Sequence, residues 1–246
     1  MGCCVILFAN MKKMHRFIVD QPLVGPVVSI TDTEIVHQLF VVLRMKPGEQ
    51  IVLCDGTGMD ALVTIAEISK KRVDVRIEKR MKNSAEPPTN AILYCAVLKR
   101  ENFEYVTQKA TEVGVAEIVP VRSERTVKLD VKMDRIAKIA REAAEQSGRG
   151  RVPIVHPPMS FEEAVSSAQN NGVNVFFEPM ADVPFEAIPK RRADEPIGIW
   201  IGPEGGWTEA EIAAAKAAKM RAARLGKTVL RAETAATVAS FLAINS

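Results

Sequence analysis

Ile197-Gly198-Ile199-Trp200-Ile201-Gly202-Pro203-Glu204-Gly205-Gly206 is a short apolar strand that runs straight into a glycine-rich turn. Thr208-Glu209-Ala210-Glu211 then opens a helix with a capping-box pattern, a hydroxyl followed three residues later by a carboxylate. Strand, glycine turn and helix start make up a ligand loop in a parallel sheet, because ligands bind beyond the carboxyl ends of the strands. Glycines there let backbone amides approach a guest without Cβ atoms in the way. The spacing is neither GxGxxG nor a P-loop, so neither a dinucleotide nor a triphosphate is the natural ligand. As a bare pattern the same turn also serves as a tight connection.

A second segment repeats the order. Arg224-Leu225-Gly226-Lys227-Thr228-Val229-Leu230-Arg231-Ala232-Glu233-Thr234-Ala235-Ala236 again gives strand, glycine turn and helix start. The helix expected from about 235 to 244 carries Ala236, Val238, Ala239, Phe241 and Leu242 and is apolar on most sides. Such a helix must be buried, against the sheet, a neighbouring subunit or both. Core packing explains the helix but not the crowding of Arg231, Glu233 and Thr234 at its entrance.

Upstream the same grammar holds. Apolar runs at 91–98, 116–121 and 173–178 alternate with helical patterns at 101–113 and 134–147. In the first helix Phe103, Val106, Ala110 and Val113 follow helical spacing, and Gly114 supplies the stop. Alternating strands and helices imply an α/β domain with a parallel sheet. Before residue 83 the pattern differs: short strands at 50–54, 61–68 and 72–79, turns at Pro47-Gly48 and at 55–58, and one helix near 34–43. In the last strand Val73, Val75 and Ile77 alternate with Asp74, Arg76 and Glu78, so one face is buried and the other charged. These elements predict a small barrel. The polar, proline-rich stretch 83–90 separates the two grammars and places the domain boundary.

The chain of 246 residues is 47% hydrophobic and 26% charged, a composition that excludes a disordered, collagen-like or disulfide-stapled protein. Its formal charge of +3 is unremarkable, but the basic residues cluster. Lys70, Lys71, Arg72, Arg76, Lys79, Arg80 and Lys82 stand against Asp74 and Glu78, and bases again outnumber acids between Arg122 and Arg151. Each run is the footprint of a protein that meets phosphates, or else a solvated face. Cys3, Cys4, Cys54 and Cys95 lack CxxC spacing and are expected as reduced thiols in a cytoplasmic protein. No ligand cluster for a metal is evident. The apolar run within residues 1–10 lacks the basic flank of a signal peptide and is too short to span a membrane, and Ile6 breaks the myristoylation pattern. Residues 1–13 are therefore expected to be an extension, disordered or a start-site artefact, with the folded chain beginning near Met14.

The two glycine segments, Ile201 to Gly206 and Leu225-Gly226 with Val229 to Ala235, together resemble the cofactor signature of the RsmE family of SPOUT-class RNA methyltransferases. His15-Arg16-Phe17, the stretch from His37 to Val42-Leu43-Arg44, Gln108 to Gly114, and Glu142 to Arg149 extend the resemblance in order from about residue 14 to the end. Val113 stands where family members commonly have Leu, and the first thirteen residues have no counterpart.

The resemblance implies a PUA-like RNA-binding β-barrel at 14–85 and, at 90–246, an α/β domain tied into a trefoil knot, working as a homodimer without a membrane or a metal. It implies S-adenosyl-L-methionine held by Gly202, Pro203, Glu204, Gly205, Gly206, Leu225, Gly226, Leu230, Arg231, Glu233, Thr234 and Ala235. The implied reaction is methylation of N3 of a uridine in small-subunit (16S) ribosomal RNA, within the assembled subunit. A cationic donor near the uracil oxygens would stabilise the anion as it forms, by the logic of an oxyanion hole. Arg149 and Arg125 are the candidates, with a phosphate contact or a helix-end charge as the alternative for each. Glu142, with Glu145 on the same helix, is the candidate base, and Glu233 can instead orient Arg231 or the cofactor. RNA contacts are expected from Arg16, Arg44, Lys109, Arg125 and the 70–82 run. Rival readings are a related enzyme acting on transfer RNA and a non-catalytic ribosome-assembly factor.

Overall fold

The computed structural model describes residues 14–126, 131–188 and 195–246. The expectation for residues 1–13 lies outside the described residues. The chain divides into two compact units, one running through Glu86 together with Ala144–Arg151, the other comprising Pro87–Ala143 and Val152–Ser246.

The first unit is built on a five-stranded sheet in the order β1 (Arg16–Ile18), β3 (Gln50–Cys54), β4 (Met59–Ile68), β5 (Val73–Lys82), β2 (Val27–Ile30). All neighbours pair antiparallel except β1 with β3. Two register shifts between β4 and β5 curl the sheet, since each inserted residue bends its strand and tightens the twist. The edge strands do not pair with one another, so the expected barrel is open, a curled half-barrel. Helix α1 (Thr33–His37), capped by Asp32, continues without a break into a wider π turn at Gln38–Val42. Its buried Ile35, Val36 and Leu39 pack with Ile51, Leu53, Val63, Ile65, Val73 and Val75 of the sheet. Strand β5 alternates as expected at its start, with Val73 and Val75 inward.

The second unit holds a parallel sheet in the order β12 (Arg221–Ala223), β10 (Val173–Phe177), β11 (Ile197–Ile201), β6 (Ala91–Ala96), β7 (Glu117–Arg122), β8 (Ile154–Val155), with β9 (Met159–Ser160) also on β7. Every residue of β6 and β11 is buried, because helices cover both faces. Leu93, Ile199 and Val175 join one apolar cluster with Phe103 and Val106 of α2 (Arg100–Val113) and Ala236 and Ala239 of α6 (Ala232–Asn245). Tyr94, Trp200 and Phe176 face the other way, toward Phe161 of α4 (Phe161–Ser167) and Ala215 of α5 (Glu209–Ala217). Tyr94 and Trp200 stack face to face at 4.3 Å. The helix α3 (Met133–Ser147) lies between β7 and β8 in the chain.

Two features carry the chain across the sheet. From edge strand β12 the backbone pairs with the β10–β11 connection, Arg224 N donating to Val183 O (2.9 Å) and Phe185 N to Arg224 O (3.0 Å). It then returns to lay α6 on α2, β11 and β6. The strand assigned before Gly226 ends at Ala223, Val229 and Leu230 are loop rather than strand, and the last helix starts three residues earlier than its apolar pattern indicated, with Arg231 as N-cap.

Candidate functional site

The sheet order reverses around β6, and the crevice at the carboxyl ends of β6, β11, β10 and β12 is the place where a doubly wound sheet can receive a ligand. A cleft of about 810 Å³ opens there. Phe177 and Glu178 come from the end of β10, Ile201 to Trp207 from β11, Ala223 to Gly226 from β12, and Lys99 and Asn102 from the β6–α2 junction.

The β11 loop is shaped by its neighbours. A Cβ on Gly202 would lie 3.0 Å from the Trp207 indole, so any larger residue would have to push the ring aside by a few tenths of an ångström. Trp207 is itself fixed, stacked on Phe176 at 4.8 Å, with Nε1 donating to Phe177 O (3.3 Å). Gly206 turns the chain at φ +71°, and its N donates to Pro203 O at 2.8 Å. The loop then enters α5 through a complete capping box: Glu211 N donates to Thr208 Oγ1 (3.2 Å) and Thr208 N to Glu211 Oε2 (2.8 Å). Glu211 is buried, and its other oxygen accepts from Glu124 N at 3.1 Å. That contact ties down the turn carrying Arg125. Arg125 in turn donates from Nη1 to Gly205 O (2.8 Å) and Trp207 O (3.3 Å).

Of the sequence-derived cofactor residues, Gly202, Pro203, Glu204, Gly205, Gly206, Leu225, Gly226, Leu230, Arg231, Glu233 and Ala235 line this cleft, and Thr234 does not. Beneath it Cys95 is fully buried; burial first, then the nearby Glu204 and Glu233 carboxylates, push its thiol far above the ordinary range and keep it protonated. The site thus presents the carboxylates of Glu178, Glu204 and Glu233, glycine backbone and the apolar flanks of Leu225 and Leu230.

The reaction and RNA candidates fall elsewhere. Arg149 does not line the cleft: its side chain is 4% exposed and donates to both oxygens of Glu86, at 3.3 and 3.2 Å. Glu86 also accepts from Gly150 N and Arg151 N, both at 3.0 Å. A buried guanidinium held on a carboxylate is a structural tie within the first unit. Arg16 is held in the same way, its guanidinium 13% exposed and paired with Asp60. Glu142 is exposed on α3 and outside the cleft lining; Arg135, whose pKa is raised chiefly by its hydrogen bond to Glu104, also feels the Glu142 charge. Glu145 accepts from Ile18 N at 2.8 Å. Lys109 is held on Glu112 at 2.8 and 2.9 Å. Arg125 does line the cleft, but as a brace for the glycine loop. Arg44 remains exposed, with a left-handed φ of +53° just beyond the π turn.

Sequence reasoning missed Lys99, Asn102, Glu178, Met180 and Trp207. Extending the carboxyl-end rule from β11 to β6 and β10 would have found the first four, since each follows the end of one of those strands. Among the described residues no group of three or more His, Cys, Asp or Glu could hold a metal, and no helix is long and apolar enough to cross a membrane.

Residues 85–244 match the RNA methyltransferase domain family, and residues 30–78 match the RNA methyltransferase PUA domain. The chain is 33% identical over 223 residues to the ribosomal RNA small subunit methyltransferase E of Bacillus subtilis (strain 168), covering 86% of this chain and 87% of the relative. Among solved structures, a ribosomal RNA small subunit methyltransferase E from Neisseria gonorrhoeae, bound to S-adenosyl methionine, superposes with a TM-score of 0.85 at 32% identity over 92% of this chain and 95% of that one. A Legionella pneumophila protein in complex with the same cofactor gives a TM-score of 0.85 at 30% identity, over 93% and 96% of the two chains. The chain belongs to the ribosomal RNA small subunit methyltransferase E family.

Proposed function

We propose that the cleft binds S-adenosyl-L-methionine and that the protein methylates N3 of a uridine in small-subunit ribosomal RNA. The observation that carries this is the meeting of two segments, the Gly202–Gly206 loop and the Leu225–Arg231 loop with the helix start that follows it, at the carboxyl ends of parallel strands of one sheet around one cleft. The residues suit the cofactor. Its size lies within the range of small-molecule sites. A Cβ at Gly206 or Gly226 would meet nothing within 4 Å, so both glycines leave open space as well as a left-handed turn. Leu225 and Leu230 offer apolar contact to an adenine ring, and Glu204 and Glu233 offer negative charge to a sulfonium and an ammonium. When bound, S-adenosylmethionine supplies an electrophilic methyl group that replaces the proton on N3.

The chain's own residues then have three tasks. The glycine loop, braced by Arg125 and by the Thr208–Glu211 cap, holds the cofactor so that reacting atoms need little further alignment, an effect that can contribute about 7–11 kcal/mol toward a barrier. A donor must stabilise the uracil anion. The half-barrel, with exposed Arg44, Lys79 and Lys82, holds RNA by its backbone while the target base is turned out of its stack.

The protein acts in the cytoplasm on the assembled small subunit. A second copy of the chain covers the last helix, where Phe241 is 54% exposed on an element whose Ala236, Ala239 and Ala243 are buried. Mass analysis of small-subunit RNA from cells with and without the gene tests the reaction. Loss of one N3-methyluridine supports it; an unchanged small-subunit RNA with a methyl missing from transfer RNA would replace the substrate.

A further inference from the structure

We infer that Lys99 and Asn102 are the side chains that hold the target uracil, Lys99 on the oxygen that gains charge as N3 loses its proton. This rests on reading the cleft as a methyl-transfer site. Loss of the N3 proton to solvent water or hydroxide spreads negative charge onto the flanking oxygens, so a fixed cation there lowers the barrier without any proton transfer of its own, and N3 then takes the methyl as its bond to sulfur breaks. Among the described residues the cations bordering the cleft are Lys99, Arg125, Arg224 and Arg231. Arg125 is spent on the carbonyls of Gly205 and Trp207. Arg224 donates to the carbonyls of Ala181 and Asp182. Arg231 is the N-cap of the last helix, two residues before Glu233, on the wall assigned to the cofactor. Lys99 is different: it sits on the wall made by the β6–α2 junction, exposed, its carbonyl accepting from Phe103 N but its ammonium without a hydrogen-bond or ion-pair partner among the described residues.

Asn102 stands one helical turn further along the same wall, half-buried, its amide likewise without a partner among the described residues. An amide that is partly withdrawn from water and left unpaired in a cleft is available to a ligand. The pair also explains a preference for uracil. An ammonium is a donor only, so it suits a carbonyl oxygen and opposes the amino group that cytosine carries at the equivalent position. Asn102 then donates to the second oxygen. Neither side chain belongs to the glycine loops, which separates base recognition from cofactor binding in the fold.

The separation makes the test. Lys99→Ala, Lys99→Arg and Asn102→Ala are each titrated calorimetrically with S-adenosylmethionine and assayed for methyl transfer to small ribosomal subunits isolated from cells lacking the gene, across a range of pH. Lys99→Ala is expected to keep its cofactor affinity within about twofold while transfer falls by about 10²-fold, the size of effect seen when one fixed donor to a developing oxyanion is removed. Its rate should go on rising at alkaline pH after the unaltered protein has levelled off, since the uracil must now ionise without help. Lys99→Arg should restore most of the rate, and Asn102→Ala should lose about tenfold. Unchanged transfer by Lys99→Ala would overturn the assignment. So would a fall in cofactor affinity that saturating S-adenosylmethionine repairs, because that would make Lys99 a cofactor ligand. If the unaltered protein binds no S-adenosylmethionine, the reading of the cleft itself fails, and this assignment with it.

Discussion

The Asp60 carboxylate accepts from both terminal nitrogens of Arg16, at 2.7 and 2.8 Å, and from the Asn83 amide at 3.0 and 3.1 Å, with the Cys54 thiol donating at 3.1 Å. Burial alone would raise the pKa of Asp60; the hydrogen bonds from Arg16 and Asn83 outweigh it and hold the group below its ordinary value of 3.8. A carboxylate with a depressed folded pKa adds stability that is complete above the unfolded value and is lost as pH falls through the folded one. Acid unfolding of this protein should therefore include a contribution developing below about pH 4, and Asp60→Asn should remove that part of the slope in pH-dependent melts. Arg16→Ala leaves the carboxylate buried without its charge partner and should cost roughly 3 kcal/mol in denaturant titration. A second residue-scale prediction concerns Gly206, whose left-handed φ of +71° an alanine tolerates only at about 1–2 kcal/mol. Gly206→Ala should weaken S-adenosylmethionine binding by about tenfold through the shape of the loop, since no atom lies within 4 Å to obstruct the added methyl.

At the scale of elements, the cap of α5 connects stability to the site. Thr208→Ala removes one capping bond and should lower stability by about 1 kcal/mol in thermal melts. Glu211→Ala should cost more than Thr208→Ala and also weaken cofactor binding, because the same carboxylate holds Glu124 N and so the turn of Arg125. Equal effects of the two substitutions on binding would contradict that link. The capping box was legible from Thr208 and Glu211 alone, because it is a local pattern of fixed spacing. The central strands β6 and β11 were legible as continuous apolar runs. The short elements were not: β2, β12 and α4 run three to seven residues, too few for a period to declare itself, and are held by pairing and packing. The π turn at Gln38–Val42 likewise reads in sequence as ordinary helix.

For the whole molecule, charge clustering marked the basic face but could not say which cations were free. Arg16 and Arg149 are consumed by Asp60 and Glu86, partners 44 and 63 residues away in the chain, and pairings at that distance leave no local trace. Arg44, by contrast, stays exposed in the fold. Arg44→Ala should weaken RNA binding and reduce the slope of log affinity against log salt by about one, measured by filter binding over a salt series. An unchanged slope would remove Arg44 from the RNA face. The glycine loops were legible as a ligand site because backbone approach demands glycine at particular places; the base-facing wall was not, because Lys99 and Asn102 are ordinary residues at a helix start. The account turns on what the cleft binds, and calorimetric titration of the intact protein with S-adenosylmethionine decides it. Saturable binding of one cofactor per chain, weakened by Gly206→Ala, is the result predicted here; no heat of binding from the folded protein would contradict it.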